Sequence, residues 1–181
     1  MIFEISVIAL VGLFLLIINK LDSGVFRRFA LACAAVLLFE YFTQALWINK
    51  NMASWSYLYL DVNWILTIGW AGIIVVCLQI IELYFPNLNE LTRYIYSVLL
   101  VGIVGFFAEW VVVGLGIREY PPGVQESLSG IMLGYGKVPI EALYYIPVFM
   151  ALMIAFVRYW EISLSAAKPL KAKHDTEVKH T

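Results

Sequence analysis

The stretch from Leu60 to Tyr84 reads LDVNWILTIGWAGIIVVCLQIIELY, and it decides the class of the fold. Between Trp64 and Ile81 no residue carries a charge. At about 1.5 Å per residue, an apolar run of about 18 residues or more crosses the hydrocarbon of a bilayer as a helix. Lipid offers the backbone no other hydrogen-bonding partner, and the strict alternation typical of a barrel strand is missing. We therefore expect a membrane helix here.

The rest of the chain repeats this pattern. Apolar runs cover residues 2–19, 29–48, 60–84, 94–117 and 138–160. Of the 181 residues, 62% are hydrophobic and 14% are charged, whereas soluble domains average roughly 45–50% and 25%. The sequence predicts an all-α, polytopic membrane helix bundle of about five transmembrane helices over residues 1–165. A polar tail follows at residues 166–181.

The charge and cysteine content exclude several classes of partner and site. A formal net charge of −1 leaves no basic excess for a nucleic acid. Cys33 and Cys77 lie far apart inside apolar runs, with neither metal-site spacing nor a disulfide framework. His174 and His180 lie in the tail without ligand spacing. We expect no metal, no cofactor and no nucleic acid.

Lysines and arginines predict the orientation in the membrane. With five spans, one side receives only Lys50, Arg118 and Lys137. The other side receives the remaining nine, which are Lys20, Arg27, Arg28, Arg93, Arg158, Lys168, Lys171, Lys173 and Lys179. Positive residues favour the cytoplasmic side. The pattern predicts a multi-pass protein of the cell membrane, with its N-terminus outside and its C-terminal tail cytoplasmic.

A weak internal duplication relates residues 27–85 to residues 94–161. Glu40 near the end of the second run corresponds to Glu109 near the end of the fourth. Asp61 at the start of the third run corresponds to Glu141 at the start of the fifth. The copies are offset by two helices, which predicts a parallel two-copy repeat that brings equivalent groups face to face. Residues 120–137 form the one long connection, which is either a re-entrant piece or a surface loop.

Carboxyl groups inside apolar runs are the sharpest functional signal. Glu40 and Glu109 each lie eight residues before the predicted outer end of their helix, Glu141 lies about one turn into the fifth, and Asp61 opens the third. A carboxylate in hydrocarbon costs several kcal/mol unless it is protonated, paired or hydrated. Glu109 and Glu141 are the candidate proton donor and acceptor, with Glu40 and Asp61 in support. The alternative is that these acids only hydrogen-bond one helix to another.

Aromatic and amide side chains accompany these acids. Aromatic faces stabilise cations by about 0.5–2 kcal/mol each, so an aromatic pocket beside an acid suits a carbocation. Membrane packing is the alternative role for any single ring. The candidate substrate-binding residues are Trp64, Trp110, Tyr144, Tyr145, Tyr120 and Asn63.

Four short motifs resemble those of the integral-membrane lycopene cyclase domain. They read FFAEW at 106–110, GLGI at 114–117, SGI at 129–131 and VPIEALYYI at 138–146. The family has an acid late in one helix, where Glu109 lies, and a Pro-x-Glu-Glu motif, in which Glu141 is the first acid and Ala142 replaces the second. The resemblance implies an enzyme that protonates a polyene and closes a ring on the cation, without redox change. The small membrane terpene cyclases of meroterpenoid pathways are a related possibility.

Taken together, these patterns favour a cofactor-independent membrane isoprenoid cyclase or isomerase, of the kind found in carotenoid and terpenoid biosynthesis. Its expected partners are membrane lipid and a hydrophobic isoprenoid substrate, and a homo- or hetero-oligomer is compatible with the sequence. Two alternatives remain open at this point. One is a non-enzymatic subunit of a larger membrane complex, and the other is a small proton-coupled transporter.

Overall fold

The computed structural model describes residues 1–134 and 138–178, with side chains up to Ser165. Within these ranges the chain is mostly helical. The helices are α1 (Ile2–Ile18), α2 (Val25–Thr43), α3 (Trp64–Tyr84), α4 (Glu90–Gly114), the short α5 (Pro122–Glu126) and α6 (Ala142–Val178). The predicted roles of Lys137 and of the side chains of the tail at 166–181 lie outside the described residues.

Four helical segments are long and apolar enough to cross a membrane. They are Val25–Leu46, Trp64–Tyr84, Glu90–Gly114 and Ala142–Ser165. The segment Ile2–Ile18 is apolar as well, but it is shorter, at 17 residues. The structure is therefore compatible with a multi-pass membrane protein, as the composition predicts.

Two helix starts are set by asparagine caps. The side chain of Asn63 accepts hydrogen bonds from the backbone N–H groups of Ile65 and Leu66, and Asn89 accepts one from Thr92. Such caps satisfy backbone donors that the first turn leaves free. They start α3 four residues later, and α4 four residues earlier, than the apolar runs at 60 and 94 predict.

The helices around the centre form a closed arrangement. Helix α2 packs against α3 and α6, α4 packs against the same two helices, and α1 lies on α3. Close approach depends on small residues: a Cβ at Gly102 of α4 would lie 3.0 Å from Pro147 of α6. A carboxylate oxygen of Glu4 accepts a hydrogen bond from the Ala53 N–H at 2.8 Å, so the start of α1 lies beside the α2–α3 connection.

The long connections at this end contain six short strands. β1 (Ile48–Asn49) pairs with β4 (Arg118–Glu119), β2 (Tyr57–Tyr59) pairs with β3 (Val62–Asn63), and β5 (Met132–Leu133) pairs with β6 (Val138–Pro139). All three pairs are antiparallel. The β1–β4 pair joins the segment after α2 to the segment after α4. No strands are predicted from the apolar pattern, because each is only two or three residues long.

A ring of ion pairs lies at the opposite end of the bundle. Arg28 of α2 reaches Glu161 at 2.7 Å and Glu82 at 2.8 Å, and Arg158 of α6 reaches the same two acids at 3.0 Å (Glu82) and 3.7 Å (Glu161). The ring fastens α2, α3 and α6 to one another. Two of the arginines counted above as orientation signals therefore also have structural partners.

Candidate functional site

An arginine from a loop lies at the centre of the polar cluster. The Arg118 side chain of β4 is enclosed, with 3% of the residue exposed. Its Nη1 lies 3.1 Å from Glu109 Oε2, and its Nη2 lies 3.7 Å from Glu40 Oε1. Its Nε donates to Asn49 Oδ1 at 2.9 Å, and its guanidinium carbon lies 4.7 Å from the centre of the Trp47 ring. The guanidinium thus bridges two carboxyl groups from different helices.

The end of α4 explains how Arg118 comes to face Glu109. Gly116 has a φ of +69°, a conformation that glycine adopts without steric penalty. The Gly116 N–H donates to Val113 O and the Ile117 N–H donates to Val112 O, both at 3.0 Å. This is a Schellman ending, which stops the helix and reverses the chain. The next residue, Arg118, is thereby folded back along α4 towards Glu109.

The cluster includes a second carboxyl group and a threonine. Glu40 of α2 and Glu109 of α4 are both buried, with 2% of each residue exposed. The Oγ1 atom of Thr67 on α3 lies 2.7 Å from Glu40 Oε2 and 3.1 Å from the backbone oxygen of Asn63. Within the described residues, Glu40 Oε1 and Arg118 Nη2 have no hydrogen-bond partner.

Two tyrosines extend the cluster on the side of Glu109. The Tyr120 hydroxyl donates to Glu109 Oε1 at 2.7 Å, and the hydroxyls of Tyr120 and Tyr145 are hydrogen-bonded to each other. Burial, and then the charge of Glu109, raise the pKa of Tyr120 above its usual range. Burial alone would lower the pKa of Arg118, but Glu109 and Glu40 outweigh it and raise that pKa. Tyr120 therefore stays a neutral donor and Arg118 stays a cation.

A small cavity of about 30 Å³ lies against these groups. That volume is about the share of one water molecule in the liquid. The wall combines Glu40, Glu109 and Arg118 with five aromatic residues, which are Phe39, Trp47, Trp70, Tyr145 and Phe149. The site is thus a carboxyl pair and one cation facing an aromatic surface.

The structure places the four predicted catalytic acids in different surroundings. Glu40 and Glu109 both contact Arg118. Each lies closer to the end of its helix than the apolar runs predict, because α2 and α4 end earlier than those runs. Glu141 precedes α6 and accepts a hydrogen bond from the Ser129 N–H at 2.7 Å. Contacts with Ser129, first its side chain and then its backbone N–H, lower the pKa of this half-buried carboxyl. Asp61 accepts from the Asn49 N–H at 3.2 Å, so it positions Asn49 rather than facing the cavity.

The predicted substrate-binding residues also separate. Tyr120 and Tyr145 belong to the cluster, whereas Tyr144 is 73% exposed, Trp110 is also exposed, and neither lines the small cavity. The Nε1 atom of Trp64 donates to Trp55 O in the surface loop. Asn63 is buried as the cap of α3 and donates its amide to Ser56 Oγ at 2.7 Å.

Sequence reasoning treats Arg118 only as an orientation signal, and it does not single out Trp47 or Asn49 for the site. A usable signal was present for the arginine, because Gly116 lies near the end of the predicted fourth run and can reverse the chain before Arg118. Trp47 and Asn49 give no comparable signal, since their roles come from the pairing of β1 with β4.

No group of three or more histidine, cysteine, aspartate or glutamate side chains that could hold a metal ion occurs in the described part of the chain. The polar cluster therefore has to be interpreted from its acids, its arginine and its tyrosines.

Comparisons with protein-family models, with curated proteins and with solved structures find no match for this chain.

Proposed function

We propose that this protein is a membrane isoprenoid cyclase or isomerase in which the pair Glu40 and Glu109 performs the proton transfers. The observation that carries the proposal is the arrangement of two buried carboxyl groups around one guanidinium, against an aromatic wall. This arrangement offers an acid, a base and a cation-stabilising surface at one place, which is the chemistry of a proton-initiated ring closure.

The number of charges favours one proton on the carboxyl pair. Glu40, Glu109 and Arg118 would carry a net negative charge if both acids were ionised, and a buried unpaired charge is costly. Two carboxyl groups that share a site tend to hold one proton between them.

The hydrogen bonds of Thr67 indicate which acid holds the proton. A hydroxyl has one hydrogen, yet Thr67 Oγ1 lies within hydrogen-bond distance of both Glu40 Oε2 and Asn63 O. Both contacts are satisfied if Glu40 donates to Thr67 and Thr67 donates to Asn63 O. Glu109, which accepts from Arg118 and Tyr120, is then the carboxylate. We assign Glu40 as the acid and Glu109 as the base.

The proposed reaction is an isomerisation that conserves all atoms. Glu40 protonates one end of a carbon–carbon double bond, and a second double bond attacks the resulting carbocation to close a ring. The aromatic faces of residues such as Trp70 and Phe149 stabilise the carbocation until it loses a proton. The carbocation then loses a proton to the Glu109 carboxylate, which restores a neutral alkene. Neither a redox cofactor nor another reactant is needed.

The finer fold assignments belong to the same proposal. We infer five spans, including α1, and a parallel repeat in which α2–α3 and α4–α6 are equivalent pairs. In support, Glu40 and Glu109 contact one guanidinium, and a short strand follows each of their helices. We further propose that the N-terminus lies outside and the C-terminus in the cytoplasm, with membrane lipid, an isoprenoid and possible further subunits as partners.

The test is a product analysis in cells that accumulate lycopene or another linear isoprenoid. Wild type is expected to yield a new isomer of unchanged mass, detected by chromatography with mass detection. Glu40→Gln and Glu109→Gln are expected to abolish it, since each amide removes a titrating group at nearly constant size. Glu126→Gln, on the exposed α5, serves as the matched control and is expected to retain product.

Two results would count against the proposal: no isomer from well-expressed wild type, or undiminished product from both buried glutamine variants. Glu141→Gln tests the separate sequence-based assignment of Glu141. Complete loss of product in that variant would indicate that Glu141 takes part in the reaction.

A non-enzymatic subunit is the second candidate, and the small volume of the cavity favours it. At about 30 Å³ the cavity admits no isoprenoid without side-chain movement. The cluster already joins α2 to α3 by a hydrogen bond, and Arg118 links Glu40 of α2 to Glu109 of α4 by ion pairs. This candidate predicts that the protein purifies with partner chains. A proton-coupled transporter would instead give pH-dependent flux in liposomes.

A further inference from the structure

We propose that a groove between α1, α3 and α4 binds one extended isoprenoid chain and leads it to the carboxyl pair. The groove has a volume of about 550 Å³ and is lined by residues of these three helices. Helices α1 and α4 both pack on α3, and the groove lies between them. The location of the groove is independent of the proposed function, whereas the identity of the chain rests on it.

The dimensions of the groove select a narrow occupant. Its wall on α3 runs from Ile65 to Ile80, which is about 22 Å of helix at 1.5 Å per residue. The volume falls within the range of about 300–1,000 Å³ that is typical of small-molecule sites. One extended hydrocarbon chain matches this length and this volume.

The chemistry of the wall selects a hydrocarbon. No charged side chain lines the groove among the described residues. Its wall includes Leu10 and Phe14 of α1, Ile73 of α3 and Val104 of α4. Any charged or strongly polar part of an occupant would therefore have to lie beyond the ends of the groove.

Trp70 connects the groove to the carboxyl pair. Its indole lines both the large groove and the small cavity that holds Glu40 and Glu109. A Cβ at Gly105 would lie 3.1 Å from this ring, so the glycine leaves room for the indole. Ala108 and Val112, which flank Glu109 on α4, are also part of the groove wall. A shift of the indole would bring the end of a bound chain to the acids, and this chain must carry a double bond to be protonated there.

The experiment measures occupancy separately from turnover. Protein carrying Glu109→Gln, which leaves substrate unconverted, is placed in dioleoylphosphatidylcholine nanodiscs with lycopene. Induced circular dichroism in the lycopene absorption band reports only pigment held in a chiral site. We expect a signal that squalene displaces and hexadecane does not.

Gly69→Leu is the blocking variant. A Cβ at Gly69 would meet only Val7, at an ordinary 3.4 Å, so the larger side chain can extend into the groove. We expect its affinity for lycopene to fall by roughly tenfold or more, corresponding to at least 1.4 kcal/mol. Gly12→Leu is the matched control on α1, because Gly12 has open space around it and does not line the groove. Val104→Trp provides a second block if Gly69→Leu fails to fold.

Several outcomes would overturn the inference. The first is the absence of an induced signal in the unblocked protein. The second is a signal in the folded blocked variants equal to that of the unblocked protein. The third is displacement by hexadecane equal to that by squalene, which would assign the groove to ordinary acyl chains. Product formation is then measured in Gly69→Leu with Glu109 intact. If wild type forms no product but the signal depends on Gly69, the cyclase proposal fails and the groove stands. If product forms at the wild-type rate in the blocked variant, the groove fails and the cyclase stands.

Discussion

At the scale of single residues, Arg118 determines the character of the cluster. Its guanidinium has fixed donors that reach Glu109, Glu40 and Asn49 together, and a lysine offers one compact charge instead. The cation also compensates the single negative charge that the two buried acids carry when they hold one proton between them. Arg118 is therefore important both for stability and for the balance of protons in the site.

Replacing Arg118 tests this role directly. We expect Arg118→Met to lower the free energy of unfolding by about 3–5 kcal/mol, because a buried carboxylate loses its partner. Adding Glu109→Gln to that variant should recover part of the loss, since the orphaned charge is removed. Thermal unfolding in detergent micelles measures both effects. A melting temperature of Arg118→Met equal to that of wild type would contradict this account.

Glu141 supplies a pH-dependent contact in the loop before α6. Contacts with Ser129, first its side chain and then its backbone N–H, lower the pKa of Glu141 below its ordinary value of 4.5, so folding favours the ionised form. The contact is therefore present above the ordinary pKa and is lost as the pH falls through the lowered one. Hydrogen exchange of the Ser129 amide, corrected for its intrinsic rate, should accelerate in that acid range. In Glu141→Ala, which has no side-chain acceptor, the exchange should be fast at neutral pH as well, and unchanged protection there would refute the contact.

At the scale of elements, the two asparagine caps offer a matched comparison. Asn63 is buried, accepts hydrogen bonds from two backbone N–H groups and donates to Ser56, whereas Asn89 accepts one from the Thr92 N–H at an exposed start of α4. N-cap replacement by alanine costs about 0.5–2 kcal/mol. We expect the loss of stability in Asn63→Ala to be near or above the upper value, and the loss in Asn89→Ala to be near the lower one. Equal melting temperatures for the two variants would show that burial of the cap adds nothing.

The elements also explain why the site was only partly predictable. Apolar runs predict the helices well, because the requirement that lipid imposes on the backbone acts on each segment separately. The observed helix ends differ from the predicted ends by several residues, because local hydrogen bonds at Asn63, Asn89 and the reversal at Gly116 set where the helices begin and end. Three strand pairs in the connections escape the pattern entirely, because each strand is only two or three residues long and the β1–β4 pair also joins residues distant in sequence.

At the scale of the whole molecule, the arrangement predicts which connections share a side of the membrane. The bond between Glu4 and Ala53 places the start of α1 at the same end as the α2–α3 and α4–α6 connections. In a background with Cys33 and Cys77 replaced, we expect an impermeant maleimide to label Ile2→Cys and Ser127→Cys from outside intact cells. Asn87→Cys, in the α3–α4 connection, should be labelled only after permeabilisation. Labelling of all three from outside would refute the proposed topology.

Apolar patterning alone predicts that this chain forms long apolar helices. It also singles out Glu109 and Glu141, with Glu40 and Asp61 in support, as the acids that need an explanation. Both results follow from the cost of exposing backbone or carboxylate groups to hydrocarbon, which each segment incurs alone. The tertiary structure decided that Arg118 lies between these acids, that Glu141 and Asp61 lie apart from the small cavity, and that Trp70 lines both cavities. Those facts depend on how α2, α3, α4 and the β1–β4 pair pack together. Contacts between distant segments leave no periodic signal in the sequence, because their geometry exists only after the helices have assembled.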